Sequence, residues 1–154
     1  MNNKTLPLNY ANGLMLELEK AFYDERGKGA RFRTTTVGRS YFREHCLPRI
    51  ASSEISGILP ALEKALCEDG IVASLTYSQE ERLLRVRVDG CVHRPVEEAM
   101  VAHGVEPFTC IPANLVVLAL EEKLDRPVEL AEIKVEDGAC ALLLAVFDHR
   151  PTLA

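Results

Sequence analysis

Five cysteines and four histidines carry the reactive chemistry of this 154-residue chain. Cys91 and His93 stand one residue apart in the connection Gly90 to Pro95, a spacing that lets a thiolate and an imidazole chelate one cation. Cys110 precedes Ile111-Pro112 and so opens a helix, where the positive end of the helix dipole lowers a thiol pKa. Cys140 follows Gly138 in the last apolar run. Two chemistries are open to these residues. Cys91, His93, Cys110 and Cys140 could ligate one zinc ion, which takes four N and S ligands in a structural site. Alternatively, Cys110 could act as a nucleophile with His93 or His103 as its base. Against both stands the ordinary role of free cysteine as a small buried hydrophobe. The chain holds no Gly-x-Gly-x-x-Gly fingerprint, so a reductase reaction would lack its dinucleotide electron source.

The elements that must position these residues follow from apolar spacing. From Phe108 to Phe147 the chain reads as turn, helix, strand, tight turn, strand. Pro112 is tolerated in the first helical turn, where its missing N–H has no intrahelical partner to lose. Leu115, Val116, Leu118 and Ala119 follow at helical spacing, and Asp125-Arg126-Pro127 ends the helix. Val128 to Val135 and Ala139 to Phe147 are strands joined at Glu136-Asp137-Gly138. The second is nine almost unbroken apolar residues, as in a strand at the centre of a sheet. Upstream, a helix capped by Asn9 and ending at Gly27 carries the stripe Leu14, Leu18, Ala21, Phe22. Gly29 to Cys46 is a second helical candidate, interrupted at Thr34-Thr35-Thr36; Gly38 in it permits close approach of another helix or a ligand. A third helix, capped by Ser52 or Ser53, presents Ile55, Ile58, Leu59, Leu62, Ala65 and Leu66, and is expected to kink or start afresh at Pro60. Ile71 to Tyr77 and Leu83 to Val88 form a hairpin turning at Ser78 to Glu81. Val96 to His103 is a short helix. Paired strands separated by helices imply an α+β fold: an antiparallel sheet of about four strands covered by helices, in one domain over residues 1–154.

Composition narrows the function classes. At 47% hydrophobic and 27% charged residues the chain can fold around a core, which excludes disorder. A net charge of −5 argues against nucleic acid as the partner, and Arg26, Lys28, Arg31, Arg33, Arg39 and Arg43 read as a solvated face. No apolar run approaches the ~20 residues of a membrane span, and no secretory signal is visible. An odd cysteine count without framework spacing points to a reducing, cytoplasmic setting.

Three patches in order along the chain resemble the 4-vinyl reductase (hydrocarbon-binding) domain family: Gly27-Lys28-Gly29-Ala30-Arg31 with Val37-Gly38-Arg39-Ser40-Tyr41-Phe42; Cys91-Val92-His93; and Phe108-Thr109-Cys110 with Glu132, Gly138 and Cys140. The resemblance implies a twisted antiparallel sheet covered by helices, related to subunits of vesicle-tethering complexes. It also implies a homodimer and a small apolar ligand held between sheet and helices. By that analogy Phe32, Tyr41, Phe42 and Phe108 line the site, with Arg39 or His103 as a polar tip. The resemblance further implies zinc held by Cys110, Cys140 and either Glu132 or Glu136 near the last hairpin. Where the family has a further cysteine after Glu132, this chain has Lys134 and Val135. With four Tyr, five Phe and no Trp, an aliphatic ligand is favoured over a stacked planar one. The expectation is therefore a non-catalytic, ligand-binding sensor domain whose output passes through a signalling partner chain. Its rivals are an adaptor module without a ligand, and a thiol-dependent enzyme using Cys110.

Overall fold

The computed structural model describes residues 5–32, 34 and 36–148, apart from the side chains of 31 and 32. The fold is α+β. Its helices are α1 (Leu8–Arg26), α2 (Arg39–Tyr41), α3 (Ile55–Glu68), α4 (Arg94–Ala102) and α5 (Ile111–Leu124). Its strands are β1 (Ser74–Glu80), β2 (Leu83–Asp89), β3 (Val128–Glu136) and β4 (Ala139–Val146). All neighbours are antiparallel, in the order β1-β2-β4-β3. Two local hairpins thus meet along the β2–β4 joint, and β4 is central, as its long apolar run requires.

Strand alternation gives the sheet two unlike faces. Leu75, Leu84, Val86, Val88, Cys140, Leu142, Leu144 and Val146 are buried against the helices. Arg85, Arg87, Glu132 and Lys134 point the other way and are exposed. The core is completed by Ile58, Leu59, Leu62 and Leu66 of α3 and by Leu115, Val116, Ala119 and Leu120 of α5. Each full burial of such a side chain stabilises by about 1.5–3 kcal/mol relative to exposure.

Several expectations change. α1 starts after Pro7, whereas Asn9 lies inside the helix and caps nothing. Its stripe Leu14, Leu18 and Ala21 faces solvent; the docked face carries Asn12, Met15, Glu19, Phe22 and Tyr23. The second helical candidate breaks up. A 3-10 turn (Gly27–Phe32) is followed by short α2 and a π-helical turn (Phe42–Cys46). The break has a packing reason. Gly38, at φ 101, lies against α5, where a Cβ would meet Leu115 at 3.4 Å and Ile111 at 3.7 Å. α3 runs through Pro60 as one helix, because Pro60 lies on its exposed side while Ile58, Leu59 and Leu62 hold the buried one. Its cap is Glu54, whose N–H donates to Ser52 Oγ at 3.0 Å. The first hairpin extends through Ser78 to Glu80 and turns at Glu81, which takes φ 56. The second turns at Asp137 and Gly138, with φ 48 and 76, the left-handed pair that a two-residue hairpin needs.

Candidate functional site

Three of the five cysteines lie in one part of the core. Cys91 follows β2, Cys110 caps α5, and Cys140 sits in β4 across from Val88. They are 8%, 3% and 2% exposed. Cys91 Sγ accepts the His93 backbone N–H at 3.3 Å, and Cys110 Sγ accepts that of Ala113 at 3.3 Å. All five cysteines are free thiols.

Glu97, in the first turn of α4, acts electrostatically on all three thiols. It is 1% exposed, and neither carboxyl oxygen has a hydrogen-bond partner. Each of the three thiols is raised further by this carboxylate, after the larger effect of burial. Burial pushes Cys91 up to about 11 and Cys140 up to about 12, and holds Cys110 well above the ordinary thiol range. Burial likewise raises Glu97 to about 8, with smaller contributions from Glu19 and Glu98. At neutral pH the cluster is therefore protonated and uncharged. A thiol so buried is a poor nucleophile, whatever the helix dipole adds.

Around the cluster runs a polar rim. Asn12 of α1 donates from Nδ2 to Val92 O at 2.8 Å, and its Oδ1 accepts from His93 Nδ1 at 2.9 Å. That bond commits Nδ1, and burial lowers the pKa of His93. Arg94 pairs with Glu98 at 2.9 Å and donates to Gly138 O, tying α4 to the last hairpin turn.

The residues expected to bind metal therefore divide. Cys91, Cys110 and Cys140 come together, with His93 at their edge. Glu132 does not join them. It pairs with Leu143 past an irregularity in β3, on the outer face of the sheet, and its carboxylate meets Lys134 at 3.4 Å. The alternation that turns Cys140 inward turns Glu132 outward. Among the described residues no group of three or more His, Cys, Asp or Glu side chains is drawn into a metal-holding arrangement.

The residues expected to bind a ligand divide as well. Phe42 is 2% exposed in the core. Tyr41 packs beside it, donates to Asp69 Oδ2 at 2.5 Å and stacks on His45 at 5.1 Å. Arg39 is exposed on α2. The Phe32 side chain lies outside the described residues. His103, exposed at the end of α4, turns its Nδ1 to Ala99 O at 2.7 Å. Of the five whose side chains are described, Phe108 alone lines a groove of about 850 Å3 between the end of α1, the segment 104–108 and the edge strand β3. There it stacks on Tyr23, with ring centroids 5.8 Å apart. Val101, Val105, Leu130 and Ile133 supply apolar wall, and Lys28, Glu106 and Lys134 supply charge.

No protein-family model matches the chain, and neither does any curated protein.

Two site residues were not legible as such in the sequence. Glu97 reads as one of two surface glutamates in Glu97-Glu98. Its spacing carried a signal, however: it precedes Met100 by three and follows Val96, so it shares the helix face that buries both. Tyr23 lies at the end of the docked face of α1, opposite the stripe that dominates the pattern.

Proposed function

We propose that this chain is a non-catalytic small-molecule-binding domain of the 4-vinyl reductase type that acts as a homodimer. The observation that carries the reading is the groove at Phe108. Its volume of about 850 Å3 falls within the ~300–1,000 Å3 of small-molecule sites. Its aromatic pair and aliphatic wall suit an apolar body, and a few charged groups can orient a polar end. The dimer reading rests on α1. On it Leu8, Tyr10, Leu14 and Leu18, with Leu6 just before it, are each at least 45% exposed, apolar surface that a second copy would cover. A partner chain would take the output in a cytoplasmic setting. A thiolate mechanism at Cys110 has little support, since burial holds that thiol protonated.

Native mass spectrometry of the purified chain, with and without added aliphatic and aromatic hydrocarbons, tests this. The expected species is a dimer carrying one apolar adduct per chain, and Phe108→Ala should weaken binding about tenfold. A monomer without adduct, unaffected by the panel, would leave the adaptor reading in its place.

Glu97 favours a second reading, zinc at the thiol cluster. Its buried carboxyl has two unpartnered oxygens, and carboxylate and thiolate are donors that a thiophilic divalent cation takes, although among the described residues no three such side chains are drawn into a metal-holding arrangement. Such an ion would hold the cluster deprotonated and join the elements that supply its ligands.

A further inference from the structure

We infer that the outer edge of β3 docks an extended segment of another polypeptide, added antiparallel as a fifth strand, and that this segment reads basic, apolar, acidic, apolar, basic. The inference goes beyond the small-molecule reading and does not rest on it.

β3 pairs with β4, and among the described residues no segment pairs with its other side. In an antiparallel pair, opposite residues alternate between exchanging both backbone bonds and exchanging none. Phe147 N donates to Pro127 O at 3.0 Å, so the odd-numbered residues of β4 spend their bonds on β3. Beyond the irregularity in β3 their partners are Glu132, Lys134 and Glu136, opposite Leu143, Ala141 and Ala139. Ile133 and Val135 therefore turn their N–H and C=O groups away from the sheet. The groove follows this edge, since every residue from Leu130 to Glu136 lines it, inner-facing and outer-facing alike. A hydrocarbon would cover those backbone groups without bonding them, whereas a strand brings a donor and an acceptor for each. The β1 edge differs. There Glu63 of α3 already accepts the Leu75 N–H at Oε2, at 2.7 Å, so the fold occupies that edge itself.

The outer row of β3 selects the occupant. Glu132, Lys134 and Glu136 are exposed in the order negative, positive, negative, with Glu106 on the facing wall. Lys134 meets Glu132 at 3.4 Å, an exposed pair that yields at little cost. A second copy using both open residues would set Ile133 opposite Val135, and so Lys134 opposite Lys134 and Glu132 opposite Glu136. Like charges directly opposite are destabilising. Sliding the copy either way runs into the irregularity between Leu130 and Glu132 or into the turn at Asp137 and Gly138. A foreign strand meets no such conflict when basic residues face Glu132 and Glu136 and an acidic one faces Lys134. Its two apolar residues then lie opposite Ile133 and Val135, on the side of the groove walled by Val105 and Phe108.

Backbone NMR of the isotope-labelled chain, titrated with a short capped peptide of lysine, valine, glutamate, valine and lysine flanked by threonines, tests this. The amides of Ile133 and Val135 should shift and gain protection from exchange, while those of β1 stay as they are. Interchanging the lysines and the glutamate of the peptide should weaken binding about tenfold, through three cross-strand charge pairs. N-methylation of the two valines, which leaves the protein untouched, should abolish binding; N-methylation of the glutamate, whose N–H points away from β3, should not. Lys134→Glu, at an exposed position, should move the preference to a peptide with lysine at its centre. Indifference to valine methylation, perturbation confined to other strands, or no binding at about 1 mM peptide overturns the inference. Protection of Ile133 and Val135 that rises with the chain's own concentration overturns it in favour of a second copy. Hydrocarbon adducts are read by mass in a separate measurement, so this inference and the small-molecule reading can each fail alone.

Discussion

Helices α1 and α5 are built on opposite plans. α1 has 19 residues and buries one, Asn12. α5 has 14 and buries eight, among them Asn114. The sequence of α1 has the clearer apolar stripe, whereas α5 is apolar on nearly every side. A stripe shows that a face needs cover, but not who supplies it. α5 lies between the sheet, α3 and the segment around Gly38, so its own chain covers it. α1 touches the body at α4, at Val92 and His93 through Asn12 and at Phe108 through Tyr23, and there it presents its more polar side. Each helix also has one buried amide. Asn114 Nδ2 reaches Thr34 O, Val37 O and Thr109 Oγ1 at 3.0, 3.2 and 3.1 Å. Asn12 holds Val92 and His93 at the edge of the thiol cluster.

The contrast can be broken by matched substitutions. Leu120→Ala in α5, where the side chain is fully buried, should cost about 2–5 kcal/mol in urea unfolding. Leu18→Ala on α1, at 72% exposure, should cost the monomer under about 0.5 kcal/mol. Equal losses would mean that α1 is as integral as α5. The amides sharpen the point. Asn114→Ala withdraws a buried donor from two carbonyls and should cost about 1–3 kcal/mol. Asn12→Ala should cost less globally, yet accelerate hydrogen exchange along α1 before the sheet responds.

The smallest effect concerns pH. Burial raises Glu19, on the docked face of α1, from 4.5 to about 7. The folded chain therefore holds this proton more tightly than the unfolded one. The stabilisation is complete below about pH 4.5 and is lost as pH rises through about 7. Glu19→Gln should stabilise by about 1–2 kcal/mol above pH 7, a figure reduced for partial solvent access, and by nothing below pH 4.5. Thermal melts across that window check both sign and range.

Much of the fold was legible because its signals are local. The 3.6-residue period of α3, Pro112 in the first turn of α5, the Asp137-Gly138 turn and the apolar run of β4 act within a few residues of themselves. What failed depends on distant neighbours. Pro60 breaks no helix because its side of α3 faces water. Ser78 to Glu80 pair with β2 despite their turn-like composition, because Leu83 to Arg85 opposite them fix the register. In the site, the cysteines were visible by type, and the fold gathers three of them. Glu97 was not visible, since only tertiary burial separates it from Glu98 beside it. The proposed ligand residues illustrate the reverse. Tyr41, Phe42 and Phe108 look alike as aromatics, but the chain sends the first two to α3 and the last to the groove.

The strand order has a kinetic consequence. Each hairpin joins neighbours in sequence and closes a short loop, so each can form early and alone. The β2–β4 joint spans α4 and α5, and most of the loop-closure entropy falls there. Until it closes, Cys140 and Cys91 belong to two separate halves of a nascent chain, each with an unpaired strand edge. Sheet and thiol cluster are then completed in a single event.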